Sequence, residues 1–131
     1  MMREEHGNAS LELALVAPAL MLLVLGVLQF GLWYHAQNVV KTAALEGARV
    51  AAAEEGSSGA GTDRALAVLD QGLGPAASAP HASVSVGSET AQVRVGATLR
   101  PILPIPGLSS FALSAEASVF RERFRPAGGR P

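Results

Sequence analysis

The sequence predicts an α+β protein: a long N-terminal transmembrane helix extends out of the membrane, and a small head follows it. Two observations support this fold class. Residues 13–34 contain no charged side chain, and three stretches within residues 82–119 alternate apolar with polar residues. About 20 apolar residues are enough for a helix to cross the ~30 Å hydrocarbon core of a bilayer. Alternation is typical of strands with one buried face, so the head is expected to hold one short helix and an about three-stranded antiparallel sheet.

Length and composition limit the possibilities further. The chain has 131 residues, a net charge of −1 and no cysteine. This length favours one small domain beside the membrane segment, and the charge gives no electrostatic basis for binding nucleic acid. Disulfides are excluded. A head of this size has little core, so we expect it to depend on the long helix or on neighbours for stability.

The N-terminal helix begins after a short polar leader, residues 1–7. The apolar run from Leu13 to Tyr34 is longer than the ~7–15 apolar residues of a signal peptide, so we interpret it as a retained membrane helix. Beyond the membrane, small or apolar residues recur every three or four positions up to Glu55, which is the amphipathic helical pattern. The sequence therefore predicts one transmembrane and extended helix over residues 8–55, with Glu46 and Arg49 close enough to form an ion pair.

The head is expected at residues 62–120, after a glycine-serine linker at residues 56–61. Thr62 or Asp63 is the expected cap of a short helix that Gly72 or Gly74 ends. Strands are predicted at residues 82–87 and 91–99, joined by a Ser-Glu-Thr turn, and at residues 111–119. The proline-rich residues 101–106 cannot form a central strand, because each proline removes a hydrogen-bond donor. Residues 121–131 are expected to be a flexible basic tail.

Catalytic chemistry finds little support, and we expect neither an enzyme nor a bound cofactor or metal. None of His6, His35 and His81 has a second ligand at the spacing of a zinc-binding helix. Asp63 and Asp70 are interpreted as a helix cap and a solvated position rather than an acid–base pair. No serine is marked as a nucleophile by its surroundings. We therefore assign no residue a catalytic role.

One carboxylate demands an explanation. Glu12 stands at the start of the apolar run, five residues after Gly7, where a charge is costly unless a partner neutralises it. The segments GNASLELALVAPALMLLVLGVLQFG and AALEGARVAA resemble the TadE-like family of the tight-adherence (Tad, or Flp-type) pilus assembly system, over about residues 7–53. The family's elements correspond to Gly7 and Glu12, to Ala14, Leu15, Val16 and Pro18 after the glutamate, and to Gly47, Ala48 and Arg49. Gln29 departs from the family, in which an acidic residue is common there.

The resemblance implies a pilin-like protein, a pseudopilin or minor pilin. A prepilin-type peptidase would cut between Gly7 and Asn8, and the new amine of Asn8 would pair with Glu12 between adjacent subunits. Other pilin-like subunits, the pilus assembly machinery and the lipid bilayer are the implied partners. Small residues would let helices approach closely: Ala14, Ala17, Pro18, Ala43, Gly47 and Ala51.

Two alternatives remain open at this point. The chain can instead be a bitopic anchor that displays a binding domain without being processed or polymerised, or, with less support, a membrane-tethered hydrolase. The expected location is a bacterial cytoplasmic membrane, with the N-terminus cytoplasmic and the head extracytoplasmic. The resemblance favours this orientation, whereas the positions of Arg3, Lys41 and Arg49 do not.

Overall fold

The computed structural model describes residues 2–53, 55–101 and 110–121, with side chains from residue 6 onward. The elements are α1 (Met2–Ala52), α2 (Ser58–Leu73), a 3-10 turn (Gly74–Ala76), β1 (Ala77–Val86), β2 (Thr90–Leu99) and β3 (Phe111–Phe120). The predicted fold class is confirmed: a long apolar helix precedes a short helix and a three-stranded antiparallel sheet. The prolines expected to interrupt residues 102–106, and the tail beyond residue 121, lie outside the described residues.

Helix α1 differs from the predicted helix at both ends. It has 51 residues and so is roughly 75 Å long at ~1.5 Å per residue. It already includes the described part of the leader, and it ends at Ala52 instead of Glu55. After that end the chain turns back on itself at Gly56, whose N–H donates to the Ala53 carbonyl oxygen at 2.8 Å. A Cβ at Gly56 would collide with the carbonyl oxygens of the last helical turn, which is why a glycine is required there.

Helix α2 begins inside the segment expected to be a linker. The hydroxyl of Ser57 accepts a hydrogen bond from the Ala60 N–H at 3.1 Å and so caps the helix. The expected caps, Thr62 and Asp63, lie within the helix instead. Of the predicted linker only residues 56 and 57 remain outside helix. The predicted end is confirmed at Gly74, whose φ of +50° is a left-handed conformation that glycine adopts without a steric cost.

The sheet is a meander in the order β1-β2-β3. The predicted hairpin between β1 and β2 is confirmed, with Val86 opposite Ala91, and β3 pairs along the whole of β2. Strand β1 starts at Ala77, five residues earlier than expected, and an irregularity interrupts its pairing between Ser78 and His81. Pro80 is tolerated there because β1 is an edge strand, where a missing N–H breaks no ladder.

Both helices pack on one face of the sheet. Helix α1 runs along β2 and β3, and α2 contacts α1 and β1. The core between these layers is built from the buried residues Ala36, Val40, Ala43, Ala44, Ala48, Ala65, Leu69, Leu73, Val93, Val95, Ala97, Leu99 and Leu113. The head is thus completed by the second half of the membrane helix, as the small size of its own core led us to expect.

The head has a membrane-proximal end, at which four chain segments meet. There Leu99 pairs with Ala77 on one side and with Phe111 on the other. Leu32, His35 and Ala36 of α1 line the same hollow as Leu99. The opposite end is marked by Ala51 and Ala52 of α1, which pack with Ala91.

Candidate functional site: the N-terminal helix

The predicted cleavage site lies in regular helix. Gly7 and Asn8 are both exposed, and a Cβ at Gly7 would meet no atom within 4 Å. Glycine costs about 1 kcal/mol more than alanine inside a helix. Gly7 therefore makes the first turns of α1 easier to unwind than the sequence around it.

Glu12 is exposed at the start of the apolar run. Within residues 2–53, 55–101 and 110–121 no hydrogen bond or ion pair reaches its carboxylate. Asn8 precedes it by four residues, so both lie on one face of α1 with a rise of about 6 Å between them. A cation at residue 8 would therefore stand within one helical turn of this carboxylate.

The remaining family positions near Glu12 are also exposed. These are Ala14, Leu15, Val16, Ala17 and Pro18. Pro18 lies inside α1 and has no N–H, so it cannot donate the helical hydrogen bond to the carbonyl of Ala14. This stretch of the helix is a surface that the chain itself leaves uncovered.

Gln29 is one of the two features that we expected to depart from the family; the other is the leader, which lacks a positive excess. Gln29 is 8% exposed, whereas its neighbours Leu28 and Phe30 are 56% and 64% exposed. Gly26, Phe30, Trp33 and Phe111 line a hollow together with Gln29. The one strongly polar side chain of the apolar run is therefore turned toward the head and away from lipid.

The other predicted packing positions lie inside the head. Ala43 and Ala51 are fully buried, and Gly47 is buried as well. A Cβ at Gly47 would stand 2.9 Å from the carbonyl oxygen of Gly61 and 3.0 Å from the Cβ of Ala65. Gly47 and Ala51 let α2 of the same chain approach closely, and Ala43 is buried in the head core.

Two glycines of α2 complete this helix contact and were missed by sequence reasoning. A Cβ at Gly61 would stand 2.8 Å from the Ala51 Cβ and 2.8 Å from the Gly47 carbonyl oxygen. Gly72 is in the same situation against the side chain of Val39. Their spacing of eleven residues, three helical turns, was the available signal, but the Gly-Ser composition around Gly61 favoured a linker.

The rest of the Gly47–Arg49 element also serves the head. Ala48 is fully buried. Arg49 forms the predicted ion pair with Glu46 at 3.1 Å, and Arg64 of α2 approaches the same carboxylate at 3.6 Å. Within this element Gly47 contacts α2 directly, and the neighbouring Glu46 links α1 to Arg64 of α2.

The histidine and carboxylate side chains of the described residues do not form a metal-binding cluster. No group of three or more histidine, cysteine, aspartate or glutamate side chains that could hold a metal occurs in this part of the chain. His6, His35 and His81 are all exposed. Among the described residues, one helix is long and apolar enough to cross a membrane, and none of the residues in its 18-residue apolar window is buried in the head. This suggests single-pass membrane anchoring.

Comparison with known proteins agrees with the sequence resemblance. A family model described as TadE-like protein matches residues 7–49. No curated protein and no solved structure matches the chain. The match includes Gly7, Glu12 and Pro18 and ends at Arg49. Residues 7–49 are thus similar to the TadE-like family, as the sequence motifs predicted.

Proposed function

We propose that this protein is a pseudopilin or minor pilin that takes part in assembly of a tight-adherence pilus or a related secretion system. The observation that carries the proposal is the exposed Glu12, which makes no ion pair within the described chain and lies inside the TadE-like match. A carboxylate at the border of the hydrocarbon core needs a cation, and processing after Gly7 would create one on the Asn8 amine.

The proposed mechanism has two steps. A prepilin-type peptidase hydrolyses the peptide bond between Gly7 and Asn8, and this releases the leader and leaves a protonated α-amine on Asn8. The amine of one subunit then pairs with Glu12 of its neighbour within a bundle of helices, where each charge would be costly alone. Ala14, Ala17 and Pro18 lie directly beyond Glu12 on the uncovered part of α1 and allow close helix approach. Ala43, Gly47 and Ala51 are buried within the head and are not part of the surface proposed here.

Intact mass of the membrane-extracted protein tests the first step. In a host that has the peptidase, we expect the mass of residues 8–131, without Met1–Gly7. Gly7→Leu is the matched variant, because a bulky side chain at the cleavage position is expected to leave the full mass. Full-length protein in the wild type would contradict processing.

Glu12→Ala tests the second step. We expect the variant to be cleaved and inserted normally but to lose assembly by tenfold or more, measured as crosslinked or sheared pilus material. Glu46→Ala, which removes a carboxylate from the head surface, is the control and is expected to assemble like wild type. Normal assembly of Glu12→Ala would favour the second candidate, a bitopic anchor that carries a binding domain without polymerising.

The polar outer face of the sheet is the observation that favours this second candidate. Arg94 and Glu116 form an ion pair of 3.0 Å across β2 and β3 on that face, beside the exposed Ser83 and Ser85 of β1. In either case we propose a bacterial cytoplasmic membrane location, with the head extracytoplasmic. Protease protection on intact cells tests the orientation: the head should be digested from outside.

A further inference from the structure

A hollow at the membrane-proximal end of the head carries two basic side chains. It lies between α1, the end of α2 and the end of β2, and Leu32, Ala36, Leu73 and Leu99 are among the apolar residues that line it. His35 and Arg100 contribute the polar part of its lining, and both are exposed. Its volume is about 290 Å³, several times the ~30 Å³ that one water occupies in the liquid. The hollow therefore combines an apolar floor with donors for an anion.

Arg100 differs from the other arginines whose side chains are described. Arg49 and Arg64 approach Glu46, Arg94 pairs with Glu116, and Arg121 donates to the carbonyl oxygen of Gly87. Within the described part of the chain, the Arg100 guanidinium makes no hydrogen bond or ion pair.

Asp70 is the nearest carboxylate along α2. It faces the neighbouring hollow between α2 and β1 and does not pair with Arg100. The side chain of Arg100 thus remains available to a ligand.

The position of the hollow along α1 identifies the surface that it meets. Counted from Leu13, the ~20 residues that cross the hydrocarbon core end at Leu32. His35 follows three residues later, about 4.5 Å further along the helix. The headgroup layer is about 5–7 Å thick on each side of the bilayer. The hollow therefore opens at the depth of the phosphate groups, next to a helix segment that contains an 18-residue apolar window with no buried residue.

We infer that this hollow binds the headgroup of an anionic phospholipid from the leaflet nearest the head. Arg100 donates to the lipid phosphate, because a guanidinium matches two phosphate oxygens at once, and His35 supplies a second N–H donor. The glycerol and the first acyl carbons lie against Leu32 and Leu99. This contact fixes the height and tilt of the head on the membrane. It requires α1 to be in a bilayer but does not depend on cleavage at Gly7.

Native mass spectrometry of the full-length chain tests the inference. The protein is released from nanodiscs of equal parts phosphatidylglycerol and phosphatidylcholine, and retained lipid is counted. We expect wild type to retain phosphatidylglycerol in preference, and Arg100→Gln to reduce that preference about five- to tenfold. Arg100→Lys should keep part of it. Arg94→Gln is the matched control, because Arg94 lies midway along the outer face of the sheet, and it should behave like wild type.

Three outcomes would overturn the inference. One is equal retention of the two lipids by wild type. Another is an equal loss in Arg94→Gln and Arg100→Gln, which would indicate only a general charge effect. The third is a dimer mass that Arg100→Gln abolishes, which would assign the hollow to a second copy of the chain. Circular dichroism of each variant confirms that the head is folded, so that loss of lipid is not loss of structure. A chain that binds lipid in this way but stays uncleaved would leave the inference standing while the proposed function fails.

Discussion

The two halves of α1 share one regular helix but are built for different surroundings. In residues 6–28 almost every side chain is exposed, and large apolar residues occur all round the helix. In residues 29–52 a stripe of small residues is buried against α2 and the sheet. Two glycines illustrate the difference: Gly26 has open space where a Cβ would be, whereas a Cβ at Gly47 would meet the backbone of Gly61. Lipid needs only apolar surface, whereas a protein partner needs a matching shape.

Among the variants that test this comparison, Leu69→Ala should lower the free energy of unfolding the most. Leu69 is 2% exposed in the head core, whereas Leu22 is 64% exposed on the membrane half of α1. Removing a buried leucine costs about 2–5 kcal/mol, and a head of this size has little stability to lose. Urea unfolding in detergent micelles, followed by circular dichroism, measures the loss. Leu22→Ala is the control, and an equal loss in both variants would show that the two halves do not differ as described.

Gly47→Val should have the next largest effect and lower the free energy of unfolding by roughly 1–3 kcal/mol, because the added carbons overpack the contact with α2. Hydrogen exchange of the α2 amides should become faster in this variant. Gly31→Val adds the same atoms to a glycine with nothing within 4 Å of its Cβ position and should leave α2 unchanged. Unaltered exchange in Gly47→Val would contradict the close approach of α1 and α2.

Gln37→Ala is expected to cost about 1 kcal/mol, the worth of one hydrogen bond. The Gln37 amide donates to the carbonyl oxygen of Ser114 at 2.9 Å. Arg121 donates its backbone N–H to the carbonyl oxygen of Glu89, on the side of β3 that faces β2. In an antiparallel ladder the backbone groups of successive residues point to opposite sides of the strand, so those of Ser114 point to the free edge of β3. Exchange of the β3 amides in Gln37→Ala should therefore accelerate locally. Gln92→Ala, on the outer face, is the control and should not accelerate it.

Glu46→Ala should have the smallest effect. It should lower the free energy of unfolding by at most about 1 kcal/mol, and by less at high salt. Its two ion pairs, with Arg49 and Arg64, are partly exposed to solvent. Thermal unfolding at low and high salt measures the difference. A double-mutant cycle with Arg64→Ala isolates the contact between the helices, and a large coupling that salt does not weaken would contradict this assignment.

Much of the architecture follows from local patterns. Alternation along β2 places Val93 and Val95 in the core and Gln92 and Arg94 outside, and the structure confirms it. The ion pair of Glu46 and Arg49 also follows from spacing alone. The start of α2 does not, because glycine and serine favour flexible chain locally. Only the close passage of α1 makes Gly61 useful in a helix.

The candidate site divides in the same way. Gly7 and Glu12 can be proposed from sequence because their pattern is local and the chemistry proposed for them depends on charge near a membrane. The partners of Gly47 cannot, because a small residue on a helix face indicates a close approach without saying which helix approaches. For the same reason Gln29 was seen only as a departure from the family, and its burial near Phe111 appeared only once the head was in place.

By itself the sequence determined the membrane span, the three strands and the TadE-like segment, since each rests on the period of apolar residues or on a short motif. The tertiary structure decided where along α1 the apolar span ends and the head begins. It also decided that α2 packs on the small-residue face of α1, and that His35 and Arg100, far apart in the sequence, line one hollow at the end of the head. These features depend on contacts between residues far apart in the chain, which a period or a motif does not encode.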